Sequence, residues 1–244
     1  MDPLGQARRD LVIANRILAH QNVVDAYGHV SIRHPSRPEH FLLSRSRSPE
    51  LVVEADIMEF TLGGEVVGDD ERPPYLERFI HGAVYEARPD IHAVVHSHAE
   101  ETLAFSISSI PLRPVIHVAR GIGPGVPVWD IADKFGDETN LLVTNVDQGR
   151  DLASRLGLGR VVLMRGHGFA AAGSTVMDVV RTSVYLPINA RVLTTAMRFG
   201  AFKALAPGEI RAGTGFNPTA PEFWRAWEYW AHRAGVGELL GRMA

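Results

Sequence analysis

Apolar residues recur along the chain with two different periods, and these periods separate predicted helices from predicted strands. Spacings of three and four between Leu11, Ala14 and Leu18 predict an amphipathic helix over about residues 6–21. Similar patterns predict helices over about residues 75–86, 101–108, 146–156, 175–199 and 222–233. Pro187 falls inside the longest of these and predicts a kink or a break there.

Short apolar or alternating runs predict strands between the helices. These runs cover residues 30–33, 41–44, 51–53, 58–61, 91–98, 140–144 and 161–164, and Gly63 and Gly64 predict a hairpin turn before residues 65–67. This mixture predicts an α/β fold, and 244 residues suit one large domain better than two.

The last part of the chain differs in composition from the rest. Residues 206–221 are rich in glycine and proline and are expected to be loop, while Trp224, Trp227 and Trp230 follow on a predicted helix. We therefore divide the chain into a catalytic domain, residues 1–205, and a tail, residues 206–244. The tail helix either packs on its own domain or covers the active site of a neighbouring subunit.

Charge and composition narrow the possible partners and surroundings. The 25 basic and 28 acidic residues nearly balance, which predicts neither a nucleic-acid nor a membrane partner. The chain has no cysteine, so disulfides and thiolate metal ligands are excluded. Neither a signal peptide at the N-terminus nor a membrane-spanning apolar run is recognisable, so we expect a cytoplasmic protein.

Histidines provide the strongest chemical signal. His96 and His98 lie two residues apart at the end of an apolar strand, so their side chains point to the same face. His167 follows another apolar run and stands between Gly166 and Gly168, which allow close approach of the backbone. Three imidazoles on a rigid sheet predict a metal site with open positions for substrate, although His-x-His pairs also occur without a metal.

Glu77, near the start of its predicted helix, is the second candidate for a functional residue. A carboxylate in the first turn is also explained by a favourable interaction with the helix dipole. The residue alone does not decide between these interpretations.

The motifs together resemble the class II aldolase/adducin family, from about Ala7 to about Leu193. The resemblance is carried, in order and spacing, by residues 27–33, 77–81, 87–90, 94–99 and 165–168. It implies a single α/β/α sandwich around a mostly antiparallel sheet, in homotetramers with active sites at subunit interfaces. It also implies one divalent ion per subunit held by His96, His98 and His167, with Glu77 as the acid/base group. The adducin branch lacks metal chemistry, whereas this chain retains the full set.

Departures from the sugar-phosphate aldolases of the family bear on the substrate. Where those enzymes carry small polar residues that surround a phosphate, this chain has His29, Ser44 followed by Arg45, and Tyr75. Arg45 could bind a carboxylate through its planar fork, or it could be a solvated surface residue. His29 could donate a hydrogen bond or add positive charge. Residues 41–46 resemble a branch of decarboxylases that act on hydroxylated pyridine or benzene dicarboxylates.

The resemblance therefore implies a non-oxidative decarboxylase with a small aromatic carboxylate as its partner. Manganese is favoured, with zinc, iron or cobalt as other possible ions. Glu77 would protonate the ring carbon if burial keeps it protonated, and His117 is a second candidate for this role. The alternatives are an aldolase or retro-aldolase acting on a non-phosphorylated hydroxy acid, an iron-dependent oxygenase and an adducin-like interaction module.

Overall fold

The computed structural model describes residues 2–213, 217 and 220–241. One seven-stranded sheet forms its centre, in the order β3-β2-β1-β4-β7-β6-β5. The strands are β1 His29–Arg33, β2 His40–Ser44, β3 Ile57–Thr61, β4 Ala93–Ser97, β5 Val128–Trp129, β6 Val161–Met164 and β7 Gly168–Gly173. The helices are α1 Pro3–His20, α2 Arg78–Ala87, α3 Glu100–Ser106, α4 Ala132–Phe135, α5 Val146–Leu156, α6 Val176–Arg198, α7 Pro207–Arg211 and α8 Pro221–Arg233.

All neighbouring strands pair antiparallel except β5 and β6, which are parallel. Side chains alternate across the pleat, so Ala93 and Val95 pack on one face and Val94 on the other. Helices α1, α3, α6 and α8 cover the first face, and α2 and α5 cover the second. The predicted α/β/α architecture around a mostly antiparallel sheet is therefore confirmed.

Local sequence explains where several helices begin. The Asp2 side chain accepts a hydrogen bond from the Leu4 amide at 3.0 Å, and Pro3 follows at the first helical position. Thr175 caps α6 in the same way, accepting from the Asp178 amide at 3.1 Å. Helix α6 continues through Pro187, so the predicted break is absent. Pro187 is buried in the fold, and tertiary packing here outweighs the lost backbone hydrogen bond.

Two predicted strands are wrong. In the predicted strand 51–53, Leu51 is the last residue of a 3-10 turn, Pro49–Leu51, and Val52 is buried under α1 without sheet pairing. Residues 140–144 form no strand, since Leu141 has a positive φ of 64° and the Val143 amide donates to a side chain. The predicted hairpin keeps only a single bridge, between Phe60 and Val66.

Strand β7 was missed by the sequence analysis although it lies between β4 and β6, in the interior of the sheet. Apart from Phe169, its sequence from Gly168 to Gly173 consists of glycine and alanine, which have little preference for strands. Close contact with the neighbouring backbone, rather than β-propensity, accounts for these residues.

The C-terminal helix packs on its own chain. Trp227 and Trp230 of α8 are buried in the core that also contains α1 and α6. Within the predicted loop over 206–221, residues 207–211 form α7, whereas residues 214–216, 218 and 219 lie outside the described part of the chain. None of the described helices is long and apolar enough to cross a membrane.

Candidate metal centre

Two adjacent strands bring three histidines to one point. Strand β4 contains His96 and is followed by His98, while the turn before β7, the partner of β4, contains His167. The Nε2 atoms of His96 and His98 are 3.0 Å apart, and those of His98 and His167 are 3.1 Å apart. His96 is completely buried and the other two are partly exposed, so the cluster lies at the edge of the core.

These nitrogens fit a divalent cation. Nδ1 of His96 lies 3.0 Å from the Phe169 carbonyl oxygen, a contact that requires Nδ1 to carry the proton. Nε2 of neutral His96 then has a free lone pair directed at the other two rings. Tetrahedral ligands on zinc would stand about 3.3 Å apart, close to the observed spacing. Nδ1 of His167 is buried without a hydrogen-bond partner among the described residues.

Glu77 completes the cluster from the other layer. It is the residue before α2, and its Oε2 lies 3.3 Å from Nε2 of His96 and 3.4 Å from Nε2 of His167. Its Oε1 accepts a hydrogen bond from the Val143 amide at 3.0 Å. The four ligand atoms of this candidate metal site lie within 4.8 Å of one another.

The protonation state of Glu77 differs from the condition set by the sequence hypothesis. Burial acts to raise the pKa of Glu77, but without a metal the positive charge that His96 and His167 carry in their protonated forms, and hydrogen bonds from those protonated rings, outweigh it. The pKa of Glu77 therefore lies well below its usual value, and the side chain is a carboxylate at neutral pH. Burial does not keep Glu77 protonated, as a resting proton donor would require.

Two glycines allow this approach of the strands. Gly166 has a positive φ of 63°, a conformation that L side chains rarely adopt. A Cβ at Gly168 would overlap the Ser97 carbonyl and lie 3.1 Å from Cα of His98. The glycines on either side of His167 therefore have different functions, one in the turn and one in the contact.

A chain of buried hydrogen bonds begins beside the cluster. The ring of His29 lies 5.1 Å from that of His96, since β1 pairs the two residues in register. Nδ1 of His29 is 2.6 Å from Nε2 of His81, whose Nδ1 is 2.6 Å from Oγ of Ser31. Oγ of Ser31 is in turn 2.7 Å from the hydroxyl of Tyr85. His81 and Tyr85 were not singled out in the sequence, because each is also typical of a helix's buried face.

His29 contributes no positive charge to this site. Burial is the main cause that lowers the pKa of His29 well below its usual value, and the charges of His81 and His96 lower it further. Of the two roles that the sequence left open for His29, the lowered pKa disfavours positive charge, whereas hydrogen bonding remains available to a neutral ring. Tyr75 lies beside it, with ring centroids 4.5 Å apart.

Ser44, Arg45 and Tyr75 lie near one another but do not contact the four-residue cluster directly. Oγ of Ser44 is 3.5 Å from the Tyr75 hydroxyl, which donates to the Arg47 carbonyl. Nε of Arg45 donates to Oδ1 of buried Asp56 at 2.7 Å. Arg45 is thus neither fully solvated nor free, since an internal ion pair fixes its orientation.

Two cavities differ in their relation to the cluster. His98 lines a cavity of about 560 Å³ together with four acidic residues, Asp25, Glu50, Glu100 and Glu101. His117 is exposed and lines a separate cavity of about 770 Å³ that contains no residue of the cluster. Within one chain, therefore, His117 is not brought to Glu77 and the three histidines.

Comparison with known proteins gives a consistent result. The family profile described as "Class II Aldolase and Adducin N-terminal domain" matches residues 9–194. Decarboxylase tropJ of Talaromyces stipitatus is 33% identical, over 97% of this chain and 97% of that protein. A 3,4-dihydroxyphthalate decarboxylase of Arthrobacter keyseri is 29% identical, over 84% of each chain.

Solved structures agree on the fold. The crystal structure of an aldolase II superfamily protein from Pseudomonas syringae superposes with a TM-score of 0.79 at 22% identity. The match covers 96% of this chain and 94% of that chain.

Proposed function

Because the chain belongs to the class II aldolase and adducin N-terminal domain family, we propose that it is a metal-dependent decarboxylase of a hydroxylated aromatic dicarboxylate. Relatives named as decarboxylases match it over most of their length, which supports a carbon–carbon lyase. The observation that carries the proposal is the convergence of three imidazole Nε2 atoms with an ionised, buried carboxylate.

The proposed ring is pyridine or benzene, with a hydroxyl beside the departing carboxylate. A divalent ion bound by His96, His98 and His167 would supply Lewis-acid stabilisation of negative charge on substrate oxygens. Manganese is the ion favoured by the family resemblance, while the donor set also accepts zinc, iron or cobalt.

Ionised Glu77 changes the proposed order of proton transfers. The carboxylate of Glu77 accepts the proton of the ring hydroxyl. The bond to the departing carboxylate then breaks, its electron pair remains with the ring, and carbon dioxide leaves. Glu77 returns its proton to that ring carbon, and the ring oxygen recovers a proton from solvent. In this order of steps Glu77 is a base first and an acid second, which starts from its ionised resting state.

The remaining predicted site residues have supporting roles in this proposal. Neutral His29 and Tyr75 form a wall next to the cluster, as their ring contact suggests. Arg45 holds the second, non-reacting carboxylate through its terminal nitrogens, while its Nε stays on Asp56. Ser44 supports Tyr75 from the end of β2.

We also propose a homo-oligomer, a tetramer by family resemblance, in which His117 acts at the metal centre of a neighbouring copy. His117 is exposed and away from its own cluster, so a second chain is needed to bring it there. Mixing inactive His117→Ala and His98→Ala subunits tests this, since recovered activity requires sites built from two chains.

The direct experiment measures metal content and carbon dioxide release from a panel of ortho-hydroxy aromatic dicarboxylates. Release that requires metal, and that disappears in His98→Ala, is the expected result. Glu77→Gln should lower turnover by about 10²–10⁴-fold, because it keeps the shape but loses the proton transfer. His92→Ala is the matched control, since His92 is exposed just before β4 and outside the cluster. Near-normal turnover of Glu77→Gln would remove Glu77 from the mechanism.

One observation favours the second candidate, a retro-aldolase acting on a non-phosphorylated hydroxy acid. The cavity beside His98 carries four carboxylates, which oppose entry of a dianion more than of a monoanion. Formation of pyruvate or an aldehyde, without carbon dioxide, would favour this activity over decarboxylation.

A further inference from the structure

The buried hydrogen-bond chain beside the metal centre consists of His29, His81, Ser31 and Tyr85, with distances of 2.6, 2.6 and 2.7 Å between neighbouring members. We propose that this chain fixes His29 as a neutral hydrogen-bond donor, whose Nε2–H binds a negatively charged oxygen of the substrate. His81 is then a positioning residue, since it acts on the substrate only through His29. The effect on turnover rests on the decarboxylase activity proposed above, whereas the position of the hydrogen does not.

The two ends of the chain have different surroundings. His29 keeps an exposed fraction of 3%, whereas His81 and Ser31 have none and Tyr85 has 1%. Nδ1 of His29 faces His81, while Nε2 of His29 has no hydrogen-bond partner among the described residues and is not fully buried. The ring of His29 lies 5.1 Å from that of His96. Nε2 of His29 is therefore the point of contact for a molecule bound beside His96.

The hydrogens of the chain can run in either of two directions. Between two neutral imidazoles, one nitrogen must donate and the other must accept. In the first direction, Tyr85 donates to Ser31, and Ser31 donates to Nδ1 of His81. Nε2 of His81 then donates to Nδ1 of His29, so that neutral His29 carries its own hydrogen on Nε2. In the reverse direction, Nε2 of His29 has a lone pair instead and is an acceptor.

The surroundings of Tyr85 favour the first direction. Within the described ranges, the Tyr85 hydroxyl has Ser31 as its single hydrogen-bond partner. In the reverse direction Ser31 donates to Tyr85, and the hydroxyl hydrogen of Tyr85 stays buried without an acceptor, which is costly. In the first direction the one hydrogen of the chain without a protein acceptor is that on Nε2 of His29, where the substrate supplies one.

Burial keeps the chain free of extra protons. It is the main cause that lowers the pKa of His81 to about 3, and the charge of His96 lowers it further. His81 is therefore neutral at neutral pH, and its one ring hydrogen goes either to His29 or to Ser31, but not to both.

A neutral donor suits the order of steps proposed above. The ring oxygen of the substrate is negatively charged from the moment that Glu77 takes its proton until solvent returns one. An N–H group placed beside this oxygen stabilises the charge in a site that excludes water. A neutral imidazole does this as a hydrogen-bond donor without giving up its proton, so the proton transfers remain with Glu77.

The test is NMR spectroscopy of the protein labelled with ¹⁵N in its histidines and loaded with zinc, a metal ion without unpaired electrons. The ¹⁵N shifts show which nitrogen of each ring carries the hydrogen, and the signals are assigned by their loss in His29→Gln and in His81→Gln. We expect the hydrogen on Nε2 in both rings. A hydrogen on Nδ1 of either ring would reverse the chain and overturn the proposal.

Ser31→Ala removes the hydroxyl that fixes the direction. Neither direction is then favoured, so the fraction of His29 with its hydrogen on Nε2 should fall to about half, and kcat/KM should fall about twofold with it. Ser31→Thr keeps a hydroxyl and should restore both. Ser183→Ala is the matched control and should change neither, because Ser183 is fully buried and its hydroxyl has no partner in the described part of the chain.

The outcomes separate this proposal from the proposed function. A change in kcat/KM without a change in the position of the hydrogen, or the converse, would overturn the proposal. Metal affinity should be unchanged in Ser31→Ala, and a parallel loss of metal would overturn it too, by assigning the effect to the folding of the site. The NMR measurement needs no turnover. The expected hydrogen positions without release of carbon dioxide would therefore support the chain and contradict only the decarboxylase.

Discussion

Gly168→Ala tests whether the contact between β4 and β7 determines the geometry of the metal centre. An added Cβ would overlap the Ser97 carbonyl oxygen and lie 3.0 Å from its carbon and 3.1 Å from Cα of His98. Ordinary carbon–carbon contacts are about 3.5–4.0 Å, so the two carbon contacts alone require the strands to separate by roughly 0.5–1 Å, and the overlap with the oxygen requires more. On one side the displaced backbone leads into His98, directly after β4, and on the other side it begins directly after His167, at the start of β7.

The expected magnitude follows from these distances. Inserting a methyl group into a well-packed position costs about 1–3 kcal/mol, which corresponds to a decrease in Tm of about 2–12 °C for a domain of this size. Metal–ligand distances tolerate about 0.2 Å, less than the required shift. We therefore expect metal affinity to fall by about 10–100-fold, comparable to the loss of a residue that orients a ligand.

The assay combines thermal unfolding with titration of metal into the metal-free protein. Gly125→Ala is the matched control, since a Cβ at Gly125 would meet nothing within 4 Å. The control should keep its Tm and its metal affinity. If Gly168→Ala binds metal as tightly as the unaltered protein, the strand contact does not set the site's geometry and the reasoning fails. A lowered Tm with unchanged metal affinity would likewise confine the effect of Gly168 to stability.

Three further predictions concern stability. Burial lowers the pKa of His81 to about 3, and the charge of His96 adds to this effect. Between about pH 6.5 and 3, the imidazole of His81 therefore binds a proton in the unfolded protein but not in the folded protein. The metal-free protein should lose unfolding free energy as pH falls through this window, by up to ~1.4 kcal/mol per unit from this group, and urea titrations of His81→Gln should show a shallower slope. Tyr85→Phe removes a hydrogen-bond partner of Ser31 in the buried chain and should lower the unfolding free energy by about 1–2 kcal/mol. The control Tyr27→Phe, at an exposed position, should lower it by less than about 0.5 kcal/mol, and equal losses would contradict the hydrogen-bond chain. Free metal at about 100 times its Kd should stabilise the protein by about 2.7 kcal/mol, a gain that a chelator reverses and that His98→Ala should lack.

Local patterns were sufficient for most helices and for the strands with strong periodicity. The run 146–156 was predicted as a helix and is α5, with Asn145 as its N-cap. The local patterns failed where tertiary contacts determine the backbone conformation. Residues 140–144 have the composition of a strand, yet the Val143 amide donates to Glu77 instead of to a neighbouring strand. Strand β7 is the opposite case: it is a strand although its glycines and alanines have low strand propensity. These small residues are explained by the close approach of the neighbouring backbone.

The candidate site was predictable to a similar extent. The pattern around His96 and His98 indicated two side chains on one face, and the family resemblance added His167 and Glu77. The pairing of His29 with His81, and of Arg45 with Asp56, was not predictable from one sequence. Each pair joins residues from different elements, and a local pattern carries no information on which elements will meet.

The sequence by itself determined the family, the α/β class and the chemical types of ligand that could bind a metal. Such features depend on residue identity and short-range periodicity, both of which are written along the chain. Only the tertiary structure decided that Glu77 is ionised, that His29 is neutral and that His117 faces another cavity. These properties arise from burial and from charges on distant segments, which come together only when the sheet and its two helical layers pack.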